Sequence, residues 1–122
     1  TFIDGPRLLN HALQLETRPN LLFAGQITGV EGYVESAACG LMAGLSLSRL
    51  VNGGRFTPPP PTTAHGALLA YVTGDAISRS FQPMNVNFGL FPPLSGRFPK
   101  KQRKEAMSKR ALEDLAGWMA DL

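Results

Sequence analysis

Apolar positions along the chain change their spacing from block to block, and each spacing predicts an element. Asn20-Leu21-Leu22-Phe23-Ala24 is an apolar run closed by Gly25, with no polar alternation. That pattern predicts a strand covered on both faces, as in a parallel sheet. Gly29 and Gly32 punctuate the turn that follows. From Tyr33 to Val51 the spacing becomes helical, with Ala37, Leu41, Leu45 and Ser48 on one stripe and Ala38 and Met42 beside it. Gly40 and Gly44 lie one turn apart within it. Each weakens a helix, so such a pair suggests close approach to a sheet or a cofactor. Asn52-Gly53-Gly54 ends the helix.

Pro58 to Pro61 form an unbroken run, stiff and extended. Thr62 or Thr63 caps a short helix through about Val72, whose apolar positions are Leu68, Leu69 and Val72. The stretch from Phe81 to Pro99 is rich in proline and phenylalanine. Its rings require burial, which predicts ordered loop rather than disorder. A last helix is expected from Lys100 or Lys101 to Ala120, with an apolar stripe of Met107, Ala111, Leu115, Trp118 and Leu122. No internal repeat is present, and only one stretch reads convincingly as a strand.

The 122 residues suffice for one small domain with a core. No unbroken apolar run reaches the roughly 18 residues that span a bilayer, so no membrane is expected. The opening Thr1-Phe2-Ile3-Asp4-Gly5-Pro6-Arg7 lacks a signal peptide's basic start and apolar stretch and reads as cut from something longer. The single cysteine, Cys39, excludes an internal disulfide and a cysteine-only zinc site, and fits a cytoplasmic location. The net charge is +3, but Arg97, Lys100, Lys101, Arg103, Lys104, Lys109 and Arg110 gather close to one another. This density suits a polyanion partner or, more plainly, a solvated helix face.

A strand, a glycine, a turn, a second glycine and a helix can bring backbone amides to a cofactor. Here that order is Leu21-Leu22-Phe23-Ala24-Gly25-Gln26-Ile27-Thr28-Gly29-Val30-Glu31-Gly32-Tyr33. Glycines permit close approach, and the new helix offers unpaired N–H groups and partial positive charge. The residues alone favour a purely structural turn, because the strict G-x-G-x-x-G spacing of a dinucleotide-binding turn is absent.

Gly25 to Ala38, reading GQITGVEGYVESAA, resembles the C-terminal flavin-contacting segment of the TrmFO family. Phe81 to Leu94, reading FQPMNVNFGLFPPL, and Thr1 to Leu9, reading TFIDGPRLL, are similar to two further segments of that family. The resemblance implies an α/β fold: a C-terminal strand–turn–helix piece of a Rossmann-like FAD-binding domain, followed by loop-rich and helical segments, incomplete on its own. It divides the chain into 1–54, the end of the FAD-binding domain; 55–99, a Pro/Phe-rich ordered segment with a short helix; and 100–122, a basic amphipathic helix.

Members of the family bind FAD, take a one-carbon unit from 5,10-methylenetetrahydrofolate and place it as methyl on C5 of the T-loop uridine of tRNA, with NADH or NADPH as reductant. The resemblance therefore implies tRNA and the upstream remainder of the FAD-binding domain as partners. It implies flavin contacts, mostly through backbone, from Gly25, Gln26, Thr28, Gly29, Val30, Glu31, Gly32 and Tyr33. The helix starting near Gly32 would face the flavin N1 and C2 carbonyl edge, where reduced flavin is negative. Glu31 would hold the turn rather than touch the ring. No catalytic residue is expected in this stretch, since the family's working cysteines lie upstream.

Asn85 and Asn87 sit two apart, so an extended chain aims both one way, toward a pterin or uracil edge or toward loop backbone. Lys100, Lys101, Arg103, Lys104, Lys109 and Arg110 are the candidate tRNA contacts. Cys39 falls in mid-helix, where the family typically carries a small residue, and reads as a buried inert thiol. His11 and His65 match no folate-stacking motif, and no His/Cys/Asp cluster has metal-ligand spacing. Two other readings are a wobble-uridine flavoprotein of the related GidA/MnmG type, against which Phe81 to Leu94 argues, and a small basic RNA-binding module without chemistry. The lone strand argues against the second.

Overall fold

The computed structural model describes residues 1–74 and 81–122; residues 75–80, part of the 55–99 segment, lie outside the described residues. Its elements are a one-turn helix α1 (Gly5–Leu8), strands β1 (Gln14–Leu15) and β2 (Arg18–Leu22), and helices α2 (Tyr33–Val51), α3 (Ala64–Thr73) and α4 (Lys100–Ala120). Short 3-10 turns at Gln26–Thr28 and Phe88–Leu90 join them. The fold mixes helices with a small two-stranded sheet.

The three longer helices fall where their apolar spacing predicts. The strand does not. β2 ends at Leu22, pairs antiparallel with β1, and is exposed along all but its last residue. The physical reason is local. Asn10 Oδ1 accepts from Ala12 N and Gln14 N at 2.9 and 3.1 Å, folding the chain back ahead of β1. Leu13, fully buried, takes a left-handed φ of 63° in that turn, a conformation that costs a bulky residue about 1–2 kcal/mol. β1 thus covers one edge of β2, while the other edge has no partner among the described residues.

One core joins the N-terminal segment and α2 to α3. Leu9, Leu13, Val30, Cys39 and Met42 pack with Leu68, Leu69 and Val72 of α3. The 1–54 and 55–99 segments therefore share a core. Thr63 caps α3 by accepting from Gly66 N at 2.9 Å. The proline run wraps so closely around that first turn that a Cβ on Gly66 would strike the carbonyls of Pro59 and Pro60.

The buried side of α2 differs from the stripe expected. Cys39, Met42 and Ser46 face the core, and Ser46 Oγ donates to Ala12 O at 2.7 Å. Ala37, Leu41 and Ser48 lie on the exposed side, with Gly40 and Gly44, where an added Cβ would meet nothing. Tyr33, Val34 and Val51 are 93%, 80% and 75% exposed. By length and composition α2 could cross a bilayer, although its sequence is interrupted by Glu35 and Arg49. The helix is apolar on two sides, and this chain covers one.

α4 rests mainly on extended segments and reaches the edge of the core through Trp118. Trp118 Nε1 donates to Thr57 O at 2.9 Å and the Trp118 ring meets Phe56 edge-on at 6.4 Å. Thr62 Oγ1 donates to Asp114. Met107, Ala111, Leu115 and Trp118 are half-buried as the spacing predicts, whereas Leu122 is exposed.

Two helix glycines should respond oppositely to alanine in the full-length protein. Gly66→Ala drives a methyl into proline carbonyls and should destabilise by about 1–3 kcal/mol. Gly117→Ala, with open space around it, should stabilise α4 by up to about 1 kcal/mol. Urea denaturation of both variants measures the sign; equal effects would contradict the packing described.

Candidate functional site

The segments resembling one another's counterparts in a single family lie far apart in sequence, yet they meet at the Gly25–Tyr33 turn. Ile3 N donates to Ile27 O at 2.8 Å, joining the first segment to the turn. Met84 N donates to Gly29 O at 2.9 Å and Glu31 N donates to Met84 O at 3.0 Å, so the third segment runs parallel beside it. Phe81 packs between Phe2 and Tyr71, at ring separations of 5.8 and 5.3 Å. Tyr71 completes the junction by donating to Gln82 O at 2.6 Å.

Gly25, Gly29 and Gly32 all have positive φ, at 84°, 98° and 90°, a region that side chains beyond glycine rarely enter. At Gly29 space is lacking as well, because a Cβ would enter the Phe81 ring. The close approach at Gly29 is thus to a phenyl ring of this chain. Gly25 has open space.

The turn has two sides. Thr28, Gly29 and Val30 are buried, and Thr28 Oγ1 donates to Gly25 O at 2.7 Å. Gln26, Glu31 and Tyr33 are exposed, with Gly25 and Gly32 between the two sides. The N-terminus of α2 has Gly32 as its cap residue and no side-chain cap. No side chain of the cap residue meets the first-turn amides, but the amide of Glu35 bonds its own carboxylate, so the positive end of the dipole is only partly offset. Ser36 Oγ, one turn in, is buried without a partner among the described residues.

Asn85 and Asn87 use their amides within the protein. Asn85 Nδ2 donates to Glu31 O at 3.1 Å and to Glu35 Oε1 at 3.2 Å, tying the loop to the turn and to α2. Asn87 Oδ1 accepts from Gly89 N at 2.9 Å and its Nδ2 donates to Asn85 O at 3.1 Å, capping the Phe88–Leu90 turn. The two side chains have different partners: Asn85 reaches the Gly25–Tyr33 turn and α2, whereas Asn87, itself extended, caps the turn that follows it. Phe81 and Tyr71, absent from the sequence candidates, are the structural links; their only sequence signal is aromaticity beside a glycine-rich turn.

The basic residues separate likewise. Lys100, Lys101, Arg103, Lys104 and Lys109 are exposed on α4. Arg110 turns inward, donating to Pro93 O at 3.1 Å and Pro92 O at 2.5 Å. It holds the loop to the helix, leaving little of its guanidinium for a phosphate. Among the described residues the only ion pair is Arg7–Asp4, at 3.9 Å and largely exposed. Cys39 is buried and free, 3.8 Å from Thr28 Oγ1. His11 Nδ1 lies 2.9 Å from Thr73 Oγ1, away from the turn. No group of metal-ligating residues occurs among the described residues.

A family profile described as glucose inhibited division protein A matches residues 1–55. Along its whole length the chain is similar to methylenetetrahydrofolate–tRNA-(uracil-5-)-methyltransferases named TrmFO. It is 59% identical to the protein of Magnetococcus marinus over 99% of this chain and 28% of the relative. It is 56% identical to that of Novosphingobium aromaticivorans over 100% of this chain and 27% of the relative. Identity to that of Syntrophus aciditrophicus is also 56%, over 99% of this chain and 27% of the relative. The chain thus spans a little over a quarter of the curated relatives it matches.

The clamp at Glu35 has a pH signature. The carboxyl is held below its ordinary value of 4.5 by the backbone N–H of Glu35 itself and then by Asn85, with Val86 N–H adding to the effect and loss of water opposing it. A carboxyl depressed on folding stabilises above its unfolded pKa, and that contribution is lost as pH falls through the lowered folded value. Asn85→Ala removes the second cause, so the Glu35 titration midpoint should rise while staying below the ordinary value. Carboxyl-carbon NMR titration of the full-length protein measures it, and an unmoved midpoint would show the clamp absent.

Proposed function

We propose, from the premise that this chain belongs to the TrmFO family, that it forms one wall of the flavin site and part of the RNA-holding surface of a tRNA uracil-C5 methyltransferase. Such an enzyme transfers a one-carbon unit from 5,10-methylenetetrahydrofolate to C5 of the T-loop uridine. The observation that carries the reading is the convergence of the Thr1–Leu9, Gly25–Ala38 and Phe81–Leu94 segments on one turn.

The outward side of the turn fits an FAD edge. Gly25 leaves room for a ring, and the cap residue of α2 offers no side chain, so the amides ahead of Glu35 are available to negative charge. When bound, the flavin supplies the electrons that convert the transferred carbon to a methyl group, replenished by NADH or NADPH. The chain's own part is positional. Phe81 fixes the height of the turn at Gly29, Asn85 fixes the α2 N-terminus, and Asn85 and Glu35 together keep the carboxylate on the loop side.

The remainder of a Rossmann-like FAD-binding domain is the partner that the chain's surface calls for. The open edge of β2 and the exposed apolar side of α2 with Gly40 and Gly44 are surfaces that a soluble protein covers. Residues 1–54 then read as the end of that domain, 55–99 as the segment that braces it and 100–122 as the basic helix. A free-standing RNA-binding module would leave both surfaces bare. The wobble-uridine reading is disfavoured because the GidA profile stops at residue 55, whereas likeness to the TrmFO relatives continues through α4. A cytoplasmic enzyme follows from a tRNA substrate.

The test is methylation of an unmodified tRNA transcript by the full-length protein, with methylenetetrahydrofolate and reduced nicotinamide. Absence of methyl transfer, with flavin bound, would sink the reading. In the same protein Gly29→Val should lower flavin content severalfold, because both φ and Phe81 oppose it. Cys39→Ala should keep flavin and most activity. Loss of methylation in Cys39→Ala with flavin intact would return the thiol to the chemistry.

The exposed cations of α4 make a separate prediction. Changing Lys100, Lys101, Arg103 and Lys104 to Ala should weaken tRNA binding and flatten the salt dependence by about one unit per lost contact. Flavin content should not change. An unaltered affinity and slope would leave these residues as a solvated surface.

A further inference from the structure

Between α4 and the Phe88–Leu90 turn the surface opens into a cleft of about 530 Å³, within the range of small-ligand sites. Its walls include Val86, Phe88, Phe91, Ala111 and Leu112, with Ser108 as a polar member. Phe88 and Phe91 stand 5.7 Å apart, tilted by 37°. Lys104 Nζ lies 5.8 Å from the Phe88 ring centre, at the outer limit of cation–π attraction, so its ammonium can swing to an anion at little cost. Lys100, Lys101 and Arg103 are exposed on the preceding turn of α4, with no carboxylate partner among the described residues.

Flat apolar walls beside unneutralised cations are what single-stranded nucleic acid requires: a π-face for the base and positive charge for its phosphates. An apolar peptide would leave the cations unused. The cleft also lies near the turn, since Asn87 in its wall is two residues from Asn85, a span of at most about 7 Å. An enzyme acting on a base takes it out of its stack, which deprives the neighbouring bases of stacking partners.

We propose that this cleft receives one unpaired nucleobase of the tRNA, stacked on Phe88 or Phe91, with its flanking phosphates on Lys100, Lys101 and Lys104. The proposal rests on the reading of the chain as part of a tRNA methyltransferase and adds a base-holding site apart from the flavin turn.

The experiment measures the affinity of the full-length protein for unmodified tRNA transcript across a salt series, with flavin absorbance as the folding control. Phe88→Leu keeps apolar volume but removes the π-face, and should weaken binding about tenfold with the salt slope unchanged. Ser108→Leu fills the cleft from the exposed side of α4 and should do the same. Lys104→Gln should instead flatten the slope by about one unit. If Phe88→Leu loses flavin, Ser108→Leu decides. Wild-type affinity in either flavin-loaded variant overturns the cleft as a base site. Wild-type protein that binds tRNA with this Phe88 dependence but transfers no methyl group overturns the methyltransferase reading and leaves the cleft standing.

Discussion

A phenyl ring stands where residue 29 would otherwise carry a side chain, and the architecture around the turn depends on that contact. Phe81 lies against Gly29, with Phe2 and Tyr71 on its flanks. Glycine is required there twice over, by the positive φ and by the ring. Once Phe81 is seated, the backbone of 83–85 runs parallel to 29–31, and Asn85 reaches Glu31 and Glu35. Packing and hydrogen bonding thus act in series: the ring sets the distance and the amide sets the register.

That arrangement gives the turn an inner and an outer face with different tasks. The inner face, Thr28, Gly29 and Val30, belongs to the core with Cys39 and Val72. The outer face keeps the uncapped start of α2 and the open glycine at 25. With glycine at the cap in place of a capping side chain, the helix forgoes only roughly a few tenths of a kcal/mol of stability. Glu35 offsets part of the effect, because its carboxylate accepts from its own first-turn N–H as well as from Asn85.

The same economy of contact explains α4. With no fully buried residue, the helix is held by hydrogen bonds and ring contacts to proline-rich extended segments: Trp118 to Thr57, Thr62 to Asp114, and Arg110 to Pro92 and Pro93. Proline segments are already stiff, so ordering them costs little backbone entropy. The cationic side is left free, and the aromatic cleft forms where helix and loop diverge.

Much of this was legible in the sequence. Apolar spacing determined α2, α3 and α4, because a helix is set by contacts within a few residues, and residue type narrowed the α3 cap to Thr62 or Thr63, of which the structure uses Thr63. The glycines at 25, 29 and 32 announced a turn with unusual φ, and segment likeness tied three stretches to one family. The sequence could not determine which side of α2 is buried, since both sides are apolar and only α3, met by long-range packing, chooses Cys39 and Met42 over Leu41. Nor could it determine the antiparallel pairing of β2, which follows from the Asn10 turn, or the inward turn of Arg110, which a charge pattern counts as surface. The meeting of Phe81 and Asn85 with the Gly29–Glu35 stretch was likewise decided by tertiary structure alone. Contacts across some fifty residues of chain leave no local periodicity, and only the folded core brings their partners within reach.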